Sequence, residues 1–286
     1  MPDIQRPDGA TIHYEVFGSG FPLLLIAPGG VSSQIGIWER SAINPIKSFS
    51  DTFTVIAMDQ RHAGKSLAPM RPFSYDQCNG DQLAVLDALG FARAHVMGGC
   101  IGCAHVWSLI KNAPDRVAAA VTQDPVGLDE TNSIDVFYAM FAETMRLARA
   151  DGIEAVVSAA KENPLFMLNN GAGPFAPLLA ASEEARAELI DMGRERYIQL
   201  IVEFRDGIWP PIPPYFTVAE EWMRTCPTPM LVLPGRDRFH PTGIAQKICR
   251  EAPHAQCLAP DCRDPENLAV TTEAVKAWLV ANTPGA

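Results

Sequence analysis

The sequence predicts an α/β fold: a mostly parallel sheet flanked by helices, with a long helical insertion. Three observations predict it. Continuous apolar runs at residues 22–27, 53–58, 94–97 and 117–123 have the length and saturation of strands covered on both faces. Helical patterns at 75–89 and 101–112 alternate with them, as βαβ units require. From about residue 127 to 225 the strand rhythm stops and helical patterns dominate, before strands resume at 229–233 and 256–259.

In chain order, residues 9–18 alternate like a half-buried strand that ends in a turn. The run at 22–27 leads into Pro28-Gly29-Gly30, a loop with little side chain. The run at 53–58 leads into Asp59-Gln60-Arg61-His62-Ala63-Gly64-Lys65-Ser66. Helix 75–89 is stopped by Gly90, the residue type that accepts the left-handed cap. The strand at 94–97 meets Gly98-Gly99-Cys100-Ile101-Gly102 and turns at once into helix 101–112. Strand 117–123 closes on Asp124-Pro125. The insertion carries helical patterns at 134–150, 153–162 and 183–204, separated by Asn169-Asn170-Gly171-Ala172-Gly173-Pro174. A Pro-rich stretch, Trp209 to Pro214, follows them. Helices at 243–251 and 268–281 complete the chain. The expected organisation is a core of residues 1–126 and 226–286 with a helical cap, 127–225, over the sheet's C-terminal edge, where open α/β sheets bind ligands.

Composition narrows the function classes. The 286 residues are 48% hydrophobic, enough for a sizeable core, and 33 acidic against 23 basic residues give a net charge of −10. That balance opposes binding to nucleic acid, whose phosphates demand a basic face, and to anionic membranes. No apolar run approaches the roughly 20 residues of a membrane span. Met1-Pro2-Asp3 has neither the basic nor the apolar part of a signal peptide, so a cytoplasmic protein is expected. The seven cysteines are then expected to be reduced thiols. Cysteines and histidines lack metal-ligand spacing, so no metal and no cofactor are expected. The expected partner is a small-molecule substrate, and the sequence leaves formation of a homo-oligomer open.

The corner at Gly98-x-Cys100-x-Gly102 concentrates the chemistry. A residue between two glycines at a strand-to-helix turn sits on a strained backbone with its side chain exposed. Here it also lies at a helix N-terminus, whose free amides favour a thiolate or an oxyanion. The chain is similar to the α/β-hydrolase superfamily along nearly its whole length, in particular to its cap-bearing branch. Pro28-Gly29-Gly30 resembles the oxyanion loop, with Pro where a His is usual. Asp59-x-Arg61-x-x-Gly64-x-Ser66 resembles the Asp-x-Arg-Gly-x-Gly-x-Ser loop, with His62 for the first Gly. Gly98-x-Cys100-x-Gly102 resembles the nucleophile elbow, with Cys for Ser, and Gly235-Arg236-Asp237 the Gly-x-Asp of the triad acid. The resemblance implies a covalent mechanism with Cys100 as nucleophile, and an oxyanion hole from the amides of Gly30 and Ile101. One feature departs from it. The stretch 259–267, where the family's His belongs, contains no His.

The base is therefore sought elsewhere. His13, His95 and His254 read as bland, His13 as a partly exposed strand residue, and His105 as a core residue of the elbow helix. His62 and His240 remain, both on loops at the C-terminal edge of the strands. His240, three residues after Asp237, is the expected general base, and His62 the alternative or a substrate contact. For the acid, Asp237 is favoured and Asp124, at the end of strand 117–123, is the other location. Cys100-x-x-Cys103 also allows a redox pair, and Phe137, Phe141, Trp209 and Phe216 are either pocket lining or packing. A thiol needs less activation than a hydroxyl, being a few per cent ionised at neutral pH, though water must still be deprotonated to break a thioester. The expected function is hydrolysis of a small ester, lactone, thioester or C–C bond through an acyl-thiol. The alternatives are a lyase or acyltransferase on the same fold, or a ligand-binding protein with a degenerate triad.

Overall fold

The structure, a computed structural model, describes residues 2–165, 170–211 and 214–285. Eight strands form one sheet in the order β1-β2-β4-β3-β5-β6-β7-β8. They are β1 (Asp3–Gln5), β2 (Thr11–Phe17), β3 (Phe21–Ile26), β4 (Phe53–Met58), β5 (Ala94–Gly99), β6 (Val117–Gln123), β7 (Met230–Leu233) and β8 (Ala255–Cys257). β1 and β2 are antiparallel to their neighbours; every pairing from β4 through β8 is parallel. β3, β5 and β6 are apolar because helices cover both of their faces.

The helices are α1 (Pro45–Phe49), α2 (Tyr75–Ala88), α3 (Ile101–Asn112), α4 (Ile134–Tyr138), α5 (Ala142–Asp151), α6 (Ile153–Glu162), α7 (Ala176–Ala181), α8 (Glu183–Ile208), α9 (Glu220–Met223), α10 (Thr242–Glu251) and α11 (Leu268–Ala281). Side chains stop the frayed ends of several. Ser74 accepts from the Gln77 amide at the start of α2, Ser182 from Ala185 at the start of α8, and Asn44 caps α1 with Pro45 in its first turn. One sheet face is packed by α2, α3 and α10 around Trp107, Leu109 and Ile248; the other by α1 and α11 around Phe49, Val275 and Leu279.

Helices α4–α8 form a third apolar cluster with Val31, Ile101 and Ala104, residues next to the elbow. Phe137, Phe141, Phe175, Phe204, Trp209 and Phe216 are all buried there. Each such side chain stabilises by about 1.5–3 kcal/mol, so the helical segment is fastened to the strands' C-terminal edge chiefly by its aromatics.

Several elements differ from expectation. The pattern at 134–150 is two α-helices joined by a 3-10 turn, and α8 runs on to Ile208 with a kink at Gly193 (φ 75°). β1 was not anticipated. Its pairing with β2 buries His13, which meets Asp3 at 2.7 Å and Glu15 at 3.2 Å and is not the partly exposed residue that alternation implies. Cys249 and Cys257 form a disulfide between α10 and β8, against the expectation that all seven cysteines are thiols; the other five are free. The expected loop at 169–174 and the Pro-rich stretch lie partly outside the described residues, at Asn169, Ile212 and Pro213.

Candidate active site

Strand register brings three loops together. Ile26 of β3 pairs with Gly98 of β5, and Gln123 of β6 pairs with Gly99 on one side and Leu233 of β7 on the other. The loops that follow β3, β5 and β7 therefore leave the sheet side by side. Cys100 occupies the corner between β5 and α3 with φ 52° and ψ −118°. A non-glycine residue held there stores about 1–3 kcal/mol. Its N–H donates to the Gln123 carbonyl at 3.0 Å, which fixes the turn. A Cβ on Gly98 would overlap the Gly102 carbonyl, and a Cβ on Gly102 would overlap the Ile26 carbonyl, so the close approach of α3 to the strands requires glycine at both.

The β7–α10 loop supplies an imidazole and a carboxylate. Nδ1 of His240 lies 2.8 and 2.9 Å from the two oxygens of Asp237, which also accepts from the amides of Phe239 and His240. An ionised carboxylate only accepts, so Nδ1 carries a proton and Nε2 is left for Cys100. The imidazole and the thiol are near enough for each to shift the other. Burial opposes the imidazolium, but the thiolate and Asp237 together push His240 up to about 10. Burial likewise pushes the Cys100 thiol up. The His240 charge, its hydrogen bond and the amides of Gly29 and Ile101 outweigh burial and bring the thiol below its ordinary value. The His240 hydrogen bond, against some burial, holds Asp237 well below the usual carboxylate range. The contact is nonetheless loose: among the described residues the buried Nε2 has no hydrogen bond of standard geometry. Such bonds are often long in unliganded sites.

The amides of Gly29 and Ile101 both act on the Cys100 sulfur. Gly29 and Gly30 both line the adjoining cavity. Asp124 does not meet His240 by hydrogen bond. Its carboxylate accepts from Arg263 Nε at 2.8 Å and pairs with the other end of the same guanidinium at 2.7 Å. Burial raises Asp124 despite that partner. Arg263 comes from the loop where the resemblance places a His.

His62 is packed edge-on between Phe175 and Phe204, with ring centroids 5.3 and 5.5 Å away. Burial, helped by the Arg61 charge, lowers it to about 3. It is a neutral aromatic contact between the β4 loop and the helical segment and is not among the residues lining either cavity at Cys100. His105 meets Gln82 and His95 meets Thr283, both as buried structural residues. The Cys103 thiol donates to the carbonyls of Gly98 and Gln123 at 3.4 Å, and burial raises it well above an ordinary thiol. Cys100 and Cys103 are both free thiols. The Asp59–Ser66 loop is scaffolding. Asp59 accepts from the amides of Ile35 and Lys65 at 2.8 Å, and Arg61 is clamped between Asp8 and Asp81 at 2.6 Å each.

Over the thiol lies a cavity of about 230 Å³ lined by Gly29, Gly30, Val31, Cys100, Val126, Phe137, Met140, Trp209, Phe239 and His240, with Pro28 at its edge. Phe137 and Trp209 line it; Phe141 and Phe216 pack behind. Met140 and Phe239 were missed by the sequence, which gives no sign that a short 3-10 turn and the His240 loop both face the thiol. No group of three His, Cys, Asp or Glu residues among those described is disposed to hold a metal. No described helix is long and apolar enough to cross a membrane.

Comparison with known proteins extends these observations. The family model described as alpha/beta hydrolase fold matches residues 22–166. The protein named "Putative carbamate hydrolase RutD" of Azorhizobium caulinodans is 31% identical over 159 residues, 55% of each chain. 3-Oxoadipate enol-lactonase 2 of Acinetobacter baylyi is 30% identical over 100 residues, 35% of this chain and 36% of its own. The match to the carbamate hydrolase thus spans about half the length of that relative. Among solved structures, a hydrolase from Pseudomonas aeruginosa superposes with a TM-score of 0.63 at 21% identity over 97% of both chains. An enol-lactonase from Burkholderia xenovorans gives 0.62 at 20% identity, over 98% of this chain and all of its own.

Proposed function

The chain belongs to the alpha/beta hydrolase fold family, and from that premise we propose that it is a hydrolase with Cys100 as nucleophile, His240 as general acid and base, and Asp237 as the carboxylate that orients His240. The observation that carries the proposal is the strained Cys100 corner, with a thiol lowered by a neighbouring imidazole that is itself bonded to a carboxylate. The substrate class is a small carbonyl compound with an apolar arm, such as an ester, lactone, thioester, carbamate or activated C–C bond. The lactonase and carbamate-hydrolase relatives favour that class. Residues 127–225 act as a cap and residues 1–126 with 226–286 as the catalytic core.

In the resting pair the thiolate attacks the carbonyl carbon, and the amides of Ile101 and of the Gly29-Gly30 turn receive the developing oxyanion. The His240 imidazolium gives its proton to the leaving group. Once the sulfur is acylated, the negative charge that most raised His240 has gone, and the pKa of the imidazole falls toward that of an ordinary histidine. Neutral His240 then takes a proton from water, and hydroxide releases the acid from the thioester. Relocating the base to the β7 loop therefore serves both half-reactions.

p-Nitrophenyl acetate tests the proposal. It predicts a burst of nitrophenolate, acetylation of Cys100 detected by mass spectrometry, and repeated turnover. In Cys100→Ser, turnover falls by at least about 10²-fold, because a hydroxyl is far less ionised than this thiol. Unchanged turnover in that variant would rule out the thiol mechanism.

A further inference from the structure

A second cavity, of about 580 Å³, opens on the other side of the Cys100–His240 pair. Pro28, Cys100 and His240 line both cavities, so the sulfur stands at their junction. Their chemistry differs. The first is almost wholly apolar, whereas Arg40, Arg236 and Arg263 line the second and Asp124 is its one lining carboxylate. Arg236 reaches Asp264 at 2.7 Å and Asp261 at 3.4 Å, while Arg263 is held by Asp124 and lies 3.7 Å from Asp237. Those aspartates fix two guanidinium groups in place. Arg40, exposed at the end of the 3-10 turn Ile35–Arg40, has no ion-pair partner among the described residues.

We infer that this recess binds a carboxylate carried by the substrate, with Arg40 supplying the uncompensated charge and Arg236 and Arg263 flanking it. The inference rests on the proposed role of Cys100, since it is the shared sulfur that makes the recess part of the same site. A chain of net charge −10 repels anions over most of its surface, so a guanidinium with no carboxylate partner, set at a concavity, is the feature that draws one in. A guanidinium also matches a planar carboxylate with two parallel hydrogen bonds. The substrate then has its scissile carbonyl at the sulfur, an apolar arm under Phe137 and Trp209, and an anionic arm among the arginines.

Two ester comparisons test this in the intact protein. One sets phenyl hydrogen glutarate against phenyl butyrate, placing the carboxylate on the acyl arm. The other sets 4-carboxyphenyl butyrate against phenyl butyrate, placing it on the leaving arm. Arg40→Met is expected to lower the anionic-to-neutral ratio of kcat/KM by about tenfold in one of the two comparisons, the worth of one charge-assisted hydrogen bond of about 1.4 kcal/mol. Arg40→Lys is expected to recover part of it. A readout without turnover separates the subsite from the hydrolase reading. The rates of Cys100 alkylation by 4-bromobutyrate and 4-bromobutyramide, followed by mass spectrometry, should show the same loss of anion preference in Arg40→Met. If no ester is hydrolysed but that preference falls, the subsite stands and the hydrolase reading falls. If Arg40→Met leaves the alkylation ratio and both ester ratios unchanged, the subsite is overturned.

Discussion

Replacing His240 with Ala tests the thiolate–imidazolium pair most directly. Four interactions decide the ionisation of Cys100 besides its burial: the His240 charge, the His240 hydrogen bond and the amides of Gly29 and Ile101. The variant removes the first two, the larger of the favourable ones, and leaves burial opposed only by the amides. The thiol pKa must then rise. The reciprocal effect gives the scale, since thiolate and Asp237 together lift His240 from 6.5 to about 10 against its burial, with the thiolate contributing most. Each tenfold change in thiolate population corresponds to about 1.4 kcal/mol, so a loss of at least about tenfold in thiolate at pH 7 is expected. The assay is the rate of Cys100 alkylation by iodoacetamide as a function of pH, read by mass spectrometry. Wild type should approach its plateau at a lower pH than the variant, because its thiol lies below the ordinary value. The variant should be slow at pH 7 and recover as pH rises through its elevated thiol pKa. Superimposable pH profiles for the two proteins would refute the pairing of Cys100 with His240, whatever the effect on turnover.

Asp237→Asn keeps the shape of the loop but removes the negative charge and offers an amide in place of an acceptor-only carboxylate. The tautomer of His240 is then no longer fixed with Nε2 toward the sulfur, and kcat/KM should fall by about 10²–10⁴-fold with little change in melting temperature. Asp81→Ala acts on stability instead. It strips the buried partner from Arg61, which Asp8 alone cannot neutralise in the same geometry, and from Arg6. Urea unfolding should show a loss of about 3–5 kcal/mol, and a loss below about 1 kcal/mol would contradict the structural role assigned to the Asp59–Ser66 loop.

What the sequence made legible follows from which interactions are local. Continuous apolar runs expose strands β3 to β6 because burial on both faces leaves no choice of residue, and the two glycines around Cys100 declare the corner because a close backbone approach excludes any side chain. His240 was reachable for the same reason: its bond to Asp237 spans three residues of one loop. Longer-range contacts were not legible. His13 is buried by a three-residue strand, β1, that has too few residues to show a period. His62 faces two phenylalanines more than a hundred residues away, so its loop position alone mistook an aromatic contact for a candidate base. That the Gly29 amide acts on the sulfur depends on dihedrals of a Pro-Gly-Gly turn that composition leaves undetermined; Gly29 takes φ 118° and Gly30 φ 60°. The Cys249–Cys257 disulfide required knowing that the last turns of α10 run beside β8.

The position of the imidazole and the composition of the second cavity belong together. With the proposed acid and base on one loop, three residues apart, the loop after β8 need not supply a histidine. Here that loop supplies Arg263 instead, which bonds to Asp124 and lies beside Asp237. The guanidinium offsets part of the negative charge of these two carboxylates. It also lines the recess next to Cys100. Placing a histidine in that loop would thus exchange a cation that bonds Asp124 and lines the polar recess for a second imidazole. The proposed base on the β7 loop and the arginine-lined recess thus fit together at the C-terminal edge of β7 and β8.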